Sequence, residues 1–110
     1  MKKQLVLMGT NDWVVPMFDR AANEHDIVAV FTRAPKPAGR KMELQKSPVH
    51  IWAEQRGLPI YTNINEYNFK PDFIVVASYG VILRDNVLNA APTINLHPSK
   101  LPMYRGPSPM

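Results

Sequence analysis

Four short apolar, β-branched runs constrain this chain more than any other feature: residues 4–8 (QLVLM), 27–32 (IVAVFT), 73–77 (FIVVA) and 93–96 (TINL), with a weaker fifth at 59–61. They are continuous rather than alternating, the pattern of strands buried on both faces of a parallel sheet. Helical patterns separate them. Pro16 suits a first helical turn, Asp12 is placed to cap it, and Met17, Phe18, Ala21 and Ala22 form an apolar stripe. Ser47 and Pro48 form an N-cap and N1 pair before Val49, Trp52 and Ala53, and Gly57 sits where a left-handed stop is expected. A shorter helix is expected over 83–89. Strand, helix and strand in this repetition predict one α/β domain, a doubly wound, mostly parallel sheet with right-handed crossovers. Ligands of such sheets lie beyond the carboxyl ends of the strands. The rule points to Gly9-Thr10, Thr32-Arg33, Ser78-Tyr79-Gly80 and the segment 95–102.

Composition narrows the setting. A chain of 110 residues with 45% apolar content suits a single core, and no segment approaches a membrane span. The opening Met1-Lys2-Lys3 is followed by an apolar run that stops at Met8, too short for a signal sequence. With no cysteine to suggest disulfides, a cytoplasmic location is the expectation. The net charge of +4 is local: Arg33, Lys36, Arg40, Lys41 and Lys46 face only Glu43, and elsewhere acids and bases cancel. This basic segment, RAPKPAGRKMELQK, reads either as mobile solvated surface or as a contact for a phosphate backbone. It has no interleaved aromatic residue to suggest base stacking.

The chemistry-bearing residues are few. The first turn, GTNDWVVP, lacks a dinucleotide fingerprint, and the chain contains no phosphate-binding P-loop motif. His25, His50 and His97 are too far apart in sequence to suggest a metal site, so no metal is expected. His25 reads as a solvent-facing turn residue and His50 as lying on the outer face of its helix. Asn95 and His97 are different. Residues two apart on a strand share a side, so two polar groups on an apolar strand must find buried partners or face a cleft. Together an amide NH₂ and an imidazole N–H can donate to an oxygen gaining negative charge, as in acyl transfer. The pattern alone leaves open a capping asparagine and a satisfied core histidine.

The stretch INLHPSKLPMYRGPSP resembles the signature of the folate-dependent formyltransferases, in which Asn-x-His precedes a Ser-x-Leu-Pro turn and a basic-Gly step. LVLMGTNDW, KPAGRKMELQKSPVHIWAEQRGLPIY and PDFIVVASYGVIL extend the resemblance over essentially the whole chain, and the KPAGR segment resembles the methionyl-tRNA formyltransferases in particular. The resemblance implies a Rossmann-like formyltransferase fold. It implies transfer of a formyl group from 10-formyltetrahydrofolate to the amine of methionyl initiator tRNA, with Asn95 and His97 catalytic. Tyr79, Gly80, Val81, Ile82 and Leu83 would line the pterin pocket, and Ser99, Lys100, Leu101 and Pro102 the wall beside the folate. Arg33, Lys36, Arg40 and Lys41 would contact tRNA.

Two residues depart from the family pattern: Asn11 stands where proline is frequent, and Lys100 where a second leucine is usual. The resemblance also places a catalytic aspartate and a carboxyl-terminal tRNA-binding barrel beyond residue 110. The chain is therefore expected to be the amino-terminal portion of the catalytic domain, inactive alone and prone to self-association through an uncovered sheet edge. Competing readings are a formyltransferase acting on glycinamide ribonucleotide or an amino sugar, and a non-catalytic folate- or RNA-binding remnant.

Overall fold

A computed structural model of the chain describes residues 2–97. The central sheet has five strands, β1 (Gln4–Gly9), β2 (Asp26–Phe31), β5 (Ile60–Tyr61), β6 (Phe73–Ala77) and β7 (Thr93–Leu96), in the order β5-β2-β1-β6-β7. Every pairing in it is parallel, as the continuous apolar runs predict. Strand order reverses between β1 and β6, which is the switch point of a doubly wound sheet. The expected fold class is therefore the one observed.

Three helices connect the strands: α1 (Val15–Glu24), α2 (Pro48–Arg56) and the single turn α3 (Asp85–Leu88). Helix α2 begins and ends as its sequence dictates. Ser47 Oγ accepts the His50 N–H at 3.0 Å, Pro48 opens the helix, and Gly57 closes it at a φ of +70°. Phe18 from α1 and Val49, Trp52 and Ala53 from α2 pack on Leu5, Leu7, Val30 and Ala77. A polar network ties the two helices at their outer edge. Asp19 Oδ1 accepts from Trp52 Nε1 at 2.9 Å and from Arg56 Nη1 at 2.8 Å, while Arg56 Nη2 reaches Asn23.

The opposite face is covered differently. Val6, Met8, Ala29, Phe31 and Ile74 pack beneath Tyr67, Tyr79 and Val87. Phe31, Tyr61, Tyr67 and Phe69 form one cluster, each ring in contact with others at centroid separations of 5.1 to 6.1 Å. Tyr67 and Phe69 bring this cluster together from the crossover between β5 and β6, the one crossover between sheet strands that has no α-helix among the described residues. Where β1 meets β6, Gly9 is required by space: a Cβ there would lie 2.6 Å from the Ala77 carbonyl oxygen and 3.0 Å from the Phe18 ring.

Several expectations are corrected. Asp12 does not cap α1; it opens a 3-10 turn, Asp12–Val14, preceded by Asn11, with no side-chain cap. The basic segment is no irregular loop, because β3 (Lys36–Ala38) and β4 (Glu43–Gln45) pair as an antiparallel hairpin. The helix expected over 83–89 shortens to one turn. His50 is not outward-facing: its side chain is only 12% exposed, and its Nδ1 is buried with no hydrogen-bond partner among the described residues. His25 is half-buried at the end of α1, where Nδ1 accepts the Lys3 N–H. No helix among the described residues is long and apolar enough to cross a membrane.

Candidate functional site

The turns that leave β1, β2, β5 and β6 at their carboxyl ends enclose a cleft of about 760 Å³. Each turn contributes polar groups: Thr10 and Asn11 after β1, Thr32, Arg33 and Lys36 after β2, Thr62 and Asn63 after β5, and Ser78, Tyr79 and Gly80 after β6. Hydroxyls, amides and two cations line this cleft beside Ala34, Ile64 and Val81, with no carboxylate among the described residues. Such a mixed lining suits a ligand that joins an apolar body to anionic or hydrogen-bonding groups.

The floor is preorganised. Thr32 and Ser47 are fully buried, and their hydroxyl oxygens share a 2.6 Å hydrogen bond. Ser47 thereby caps α2 and pins the end of β2 at once. Thr10 is 8% exposed, and its Oγ1 has no partner among the described residues. Buried hydroxyls are nearly always paired, which makes this one an exception at the edge of the cleft. Tyr79 is also buried, and desolvation pushes its phenol up to about 12. It therefore remains a neutral donor throughout the physiological range.

The expected folate-pocket residues divide. Tyr79, Gly80 and Val81 line the cleft, with Gly80 at a φ of +76°. Leu83 packs on the aromatic-side core, and Ile82 is 89% exposed and outside the cleft lining. The four expected tRNA contacts divide as well. Arg33 and Lys36 line the cleft, whereas Arg40 and Lys41 stand at the tip of the hairpin beside Gly39. Lys46 is withdrawn from the basic set by a 2.8 Å ion pair with Glu54, whose carboxyl is held below its ordinary range chiefly by that bond.

Asn95 lies in β7 opposite Val76 of β6, and His97 follows the end of the strand. Both are exposed, so the reading of His97 as a satisfied core residue does not hold. Ser99, Lys100, Leu101 and Pro102 lie outside the described residues. No cluster of three or more histidine, aspartate or glutamate side chains able to hold a metal occurs among the described residues.

Sequence reasoning located the ends of the strands but missed Asn11, Ser47, Thr62 and Asn63 as site residues. Only the crossover geometry brings Thr62 and Asn63 to the cleft. Ser47 was legible as a cap, but not as the partner of Thr32.

A parallel α/β sheet with a cleft beyond its strand ends, at a topological switch, is the architecture of the doubly wound domains. The family model described as formyl transferase matches residues 2–110, and the chain belongs to that family. Among curated relatives, a methionyl-tRNA formyltransferase of Anaplasma phagocytophilum is 41% identical over 97% of this chain and 40% of its own length. One from Afipia carboxidovorans is 44% identical over 100% of this chain and 39% of its own length. A third, from a Wolbachia of Culex pipiens, is 40% identical over 97% and 40%. The chain thus spans about 40% of the length of these relatives. The matches run over 119 to 122 positions, more than the chain's 110 residues, so within the matched stretch the relatives carry residues with no counterpart here.

Proposed function

We propose that this chain forms the donor-binding and acceptor-facing part of a methionyl-tRNA formyltransferase, with 10-formyltetrahydrofolate as the formyl donor. The pterin side falls to Tyr79, Gly80 and Val81, which line the cleft, with the backbone of Ile82 and Leu83 that follows them and with Ser99, Lys100, Leu101 and Pro102. The methionyl end of the tRNA approaches from the Arg33 side, and Arg40 and Lys41 on the hairpin meet its phosphates. The observation that carries this reading is the pairing of β6 with β7. It sets Asn95 beside the strand whose own turn lines the cleft, in a chain of the formyl transferase family.

The chemistry follows from these groups. An α-amine has an ordinary pKa of about 7.7–8.0, so a useful fraction is neutral near pH 7 and can attack. Its nitrogen adds to the formyl carbon, and the carbonyl π-electrons move to oxygen. Asn95 Nδ2 and an imidazole N–H of His97 donate to that oxyanion. Collapse re-forms the carbonyl and breaks the bond to the folate nitrogen, which takes up a proton as the amine loses one. Removing one such donor generally costs about 2.7–4 kcal/mol of transition-state stabilisation.

Titration of the chain with methionyl initiator tRNA at several salt concentrations tests the acceptor side. Replacing Arg40 and Lys41 together with alanine should weaken binding. It should also flatten the dependence of log affinity on log salt by about 0.7–0.9 per lost phosphate contact. An unchanged slope would remove the hairpin from the tRNA interface. The basic hairpin is also what disfavours an acceptor without a nucleic-acid backbone, such as an amino sugar.

A further inference from the structure

Beyond the carboxyl ends of β1 and β6, where strand order reverses, the crevice is crossed by one bond between side chains among the described residues: Asn11 Nδ2 donates to Ser78 Oγ at 2.6 Å. Gly9 pairs with Ala77 at the last register position of the two strands, so this bond closes the ladder one step above its end. Both residues line the cleft. Ser78 has a φ of +55°, one of two non-glycine residues with positive φ in the described chain. A glycine would take that conformation with less strain, so backbone ease does not explain a serine here. Its hydroxyl is instead engaged by a residue 67 positions away. Immediately beyond it come buried Tyr79 and left-handed Gly80, which line the cleft on the β6 side. Thr10, Thr32 and Arg33 line the other side.

We propose that Asn11 and Ser78 are a positioning pair that fixes the separation of the two sides of the cleft. The names donor side and acceptor side rest on the function proposed above; the tie itself does not. Transfer between two bound substrates needs their reacting atoms held about 3–3.5 Å apart, and a misplacement of about 1 Å can cost about a hundredfold in rate. The two turns that hold the substrates belong to different strands, and connecting turns are the more mobile parts of a sheet. The Asn11–Ser78 bond restrains that motion. It leaves Asn11 Oδ1 and the Ser78 hydroxyl hydrogen available to ligand groups in the crevice.

The test uses Asn11→Ala, Ser78→Ala, the double variant and Ser78→Gly, read by thermal midpoint, amide hydrogen exchange and titration with a non-reactive folate analogue. Asn11→Ala and Ser78→Ala should each speed exchange at Tyr79 and Gly80 about tenfold while leaving β2 unchanged. Each should weaken the analogue by a similar factor, and the double variant should lose no more than either single one. Ser78→Gly should hold or raise the thermal midpoint, because left-handed strain is relieved, yet weaken the analogue as Ser78→Ala does. A bond with only a structural role would lower affinity and midpoint together. Unchanged exchange and affinity in Asn11→Ala, or losses that multiply in the double variant, would overturn the pairing. If the exchange effects occur but the unaltered chain takes no analogue, the tie stands and the folate reading fails.

Discussion

The two faces of the central sheet are buried by different means. On one, α1 and α2 lay Phe18, Val49 and Trp52 over β1 and β2, and Asp19 bridges the helices through Trp52 and Arg56. On the other, Tyr67 and Phe69 from the β5–β6 crossover close on Phe31 of β2 and Tyr61 of β5, and one short helix adds cover. The helical face is held by repeated backbone hydrogen bonds and by the capped ends of α2. The aromatic face depends on a few large side chains, each meeting several others, so single substitutions there should be felt more strongly. The difference also bears on the site. Crossover residues Thr62 and Asn63 line the cleft, so the aromatic face and the cleft share a support.

The largest expected effect is at the centre of the ring cluster. Phe31 is fully buried and touches Tyr61, Tyr67 and Phe69. Phe31→Ala should cost about 3–5 kcal/mol in denaturant unfolding. A loss no greater than that of an equivalent change on the helical face would erase the contrast.

Gly9→Ala comes next, because its methyl would meet the Ala77 carbonyl and the Phe18 ring at once. Forcing the strands apart should cost about 1–3 kcal/mol. Since this change strikes the β1–β6 join rather than either face, its thermal midpoint should fall with the faces still intact by near-ultraviolet circular dichroism.

Ser47→Ala sharpens the comparison from the helical side. It removes the cap of α2 and leaves the Thr32 hydroxyl alone at the base of the cleft. The expected loss in chemical denaturation is about 1–2 kcal/mol. Replacement by threonine should recover part of it.

The smallest effect is one of pH. Asp19 is held below its ordinary value of 3.8, first by the Trp52 indole N–H and then by Arg56. A carboxylate with a depressed folded-state pKa stabilises above its unfolded pKa, and that contribution is lost as pH falls through the folded value. Acidification below about pH 4 should therefore loosen the α1–α2 contact first, seen as a change in Trp52 fluorescence. Asp19→Asn should remove that step, leaving any remaining acid transition to other carboxylates.

The helical face was the legible one. Ser47-Pro48, the Val49–Trp52–Ala53 spacing and Gly57 each encode a local rule, and α2 obeys all of them. Strands β6 and β7 were equally plain from their continuous β-branched runs. The aromatic face was not legible, because Tyr61, Tyr67 and Phe69 follow no period and meet Phe31 only through tertiary packing. The hairpin was hidden for a similar reason. Its strands are three residues long and almost wholly exposed, with no buried face to impose alternation. At the site, the rule about strand ends found Thr10, Thr32 and Ser78, but nothing local announces that Asn11 reaches Ser78 across 67 residues.

The central claim is that the turn after β6 and the end of β7 form one side of a formyl-donor site. It is tested most directly by following backbone amide shifts while titrating the chain with a non-reactive analogue of 10-formyltetrahydrofolate. Saturable shifts concentrated at Tyr79 to Leu83, Asn95 and His97, and abolished by altering Asn95 and His97, are the predicted result. Shifts confined to the hairpin or to the ring cluster, or no binding at all, would contradict the account.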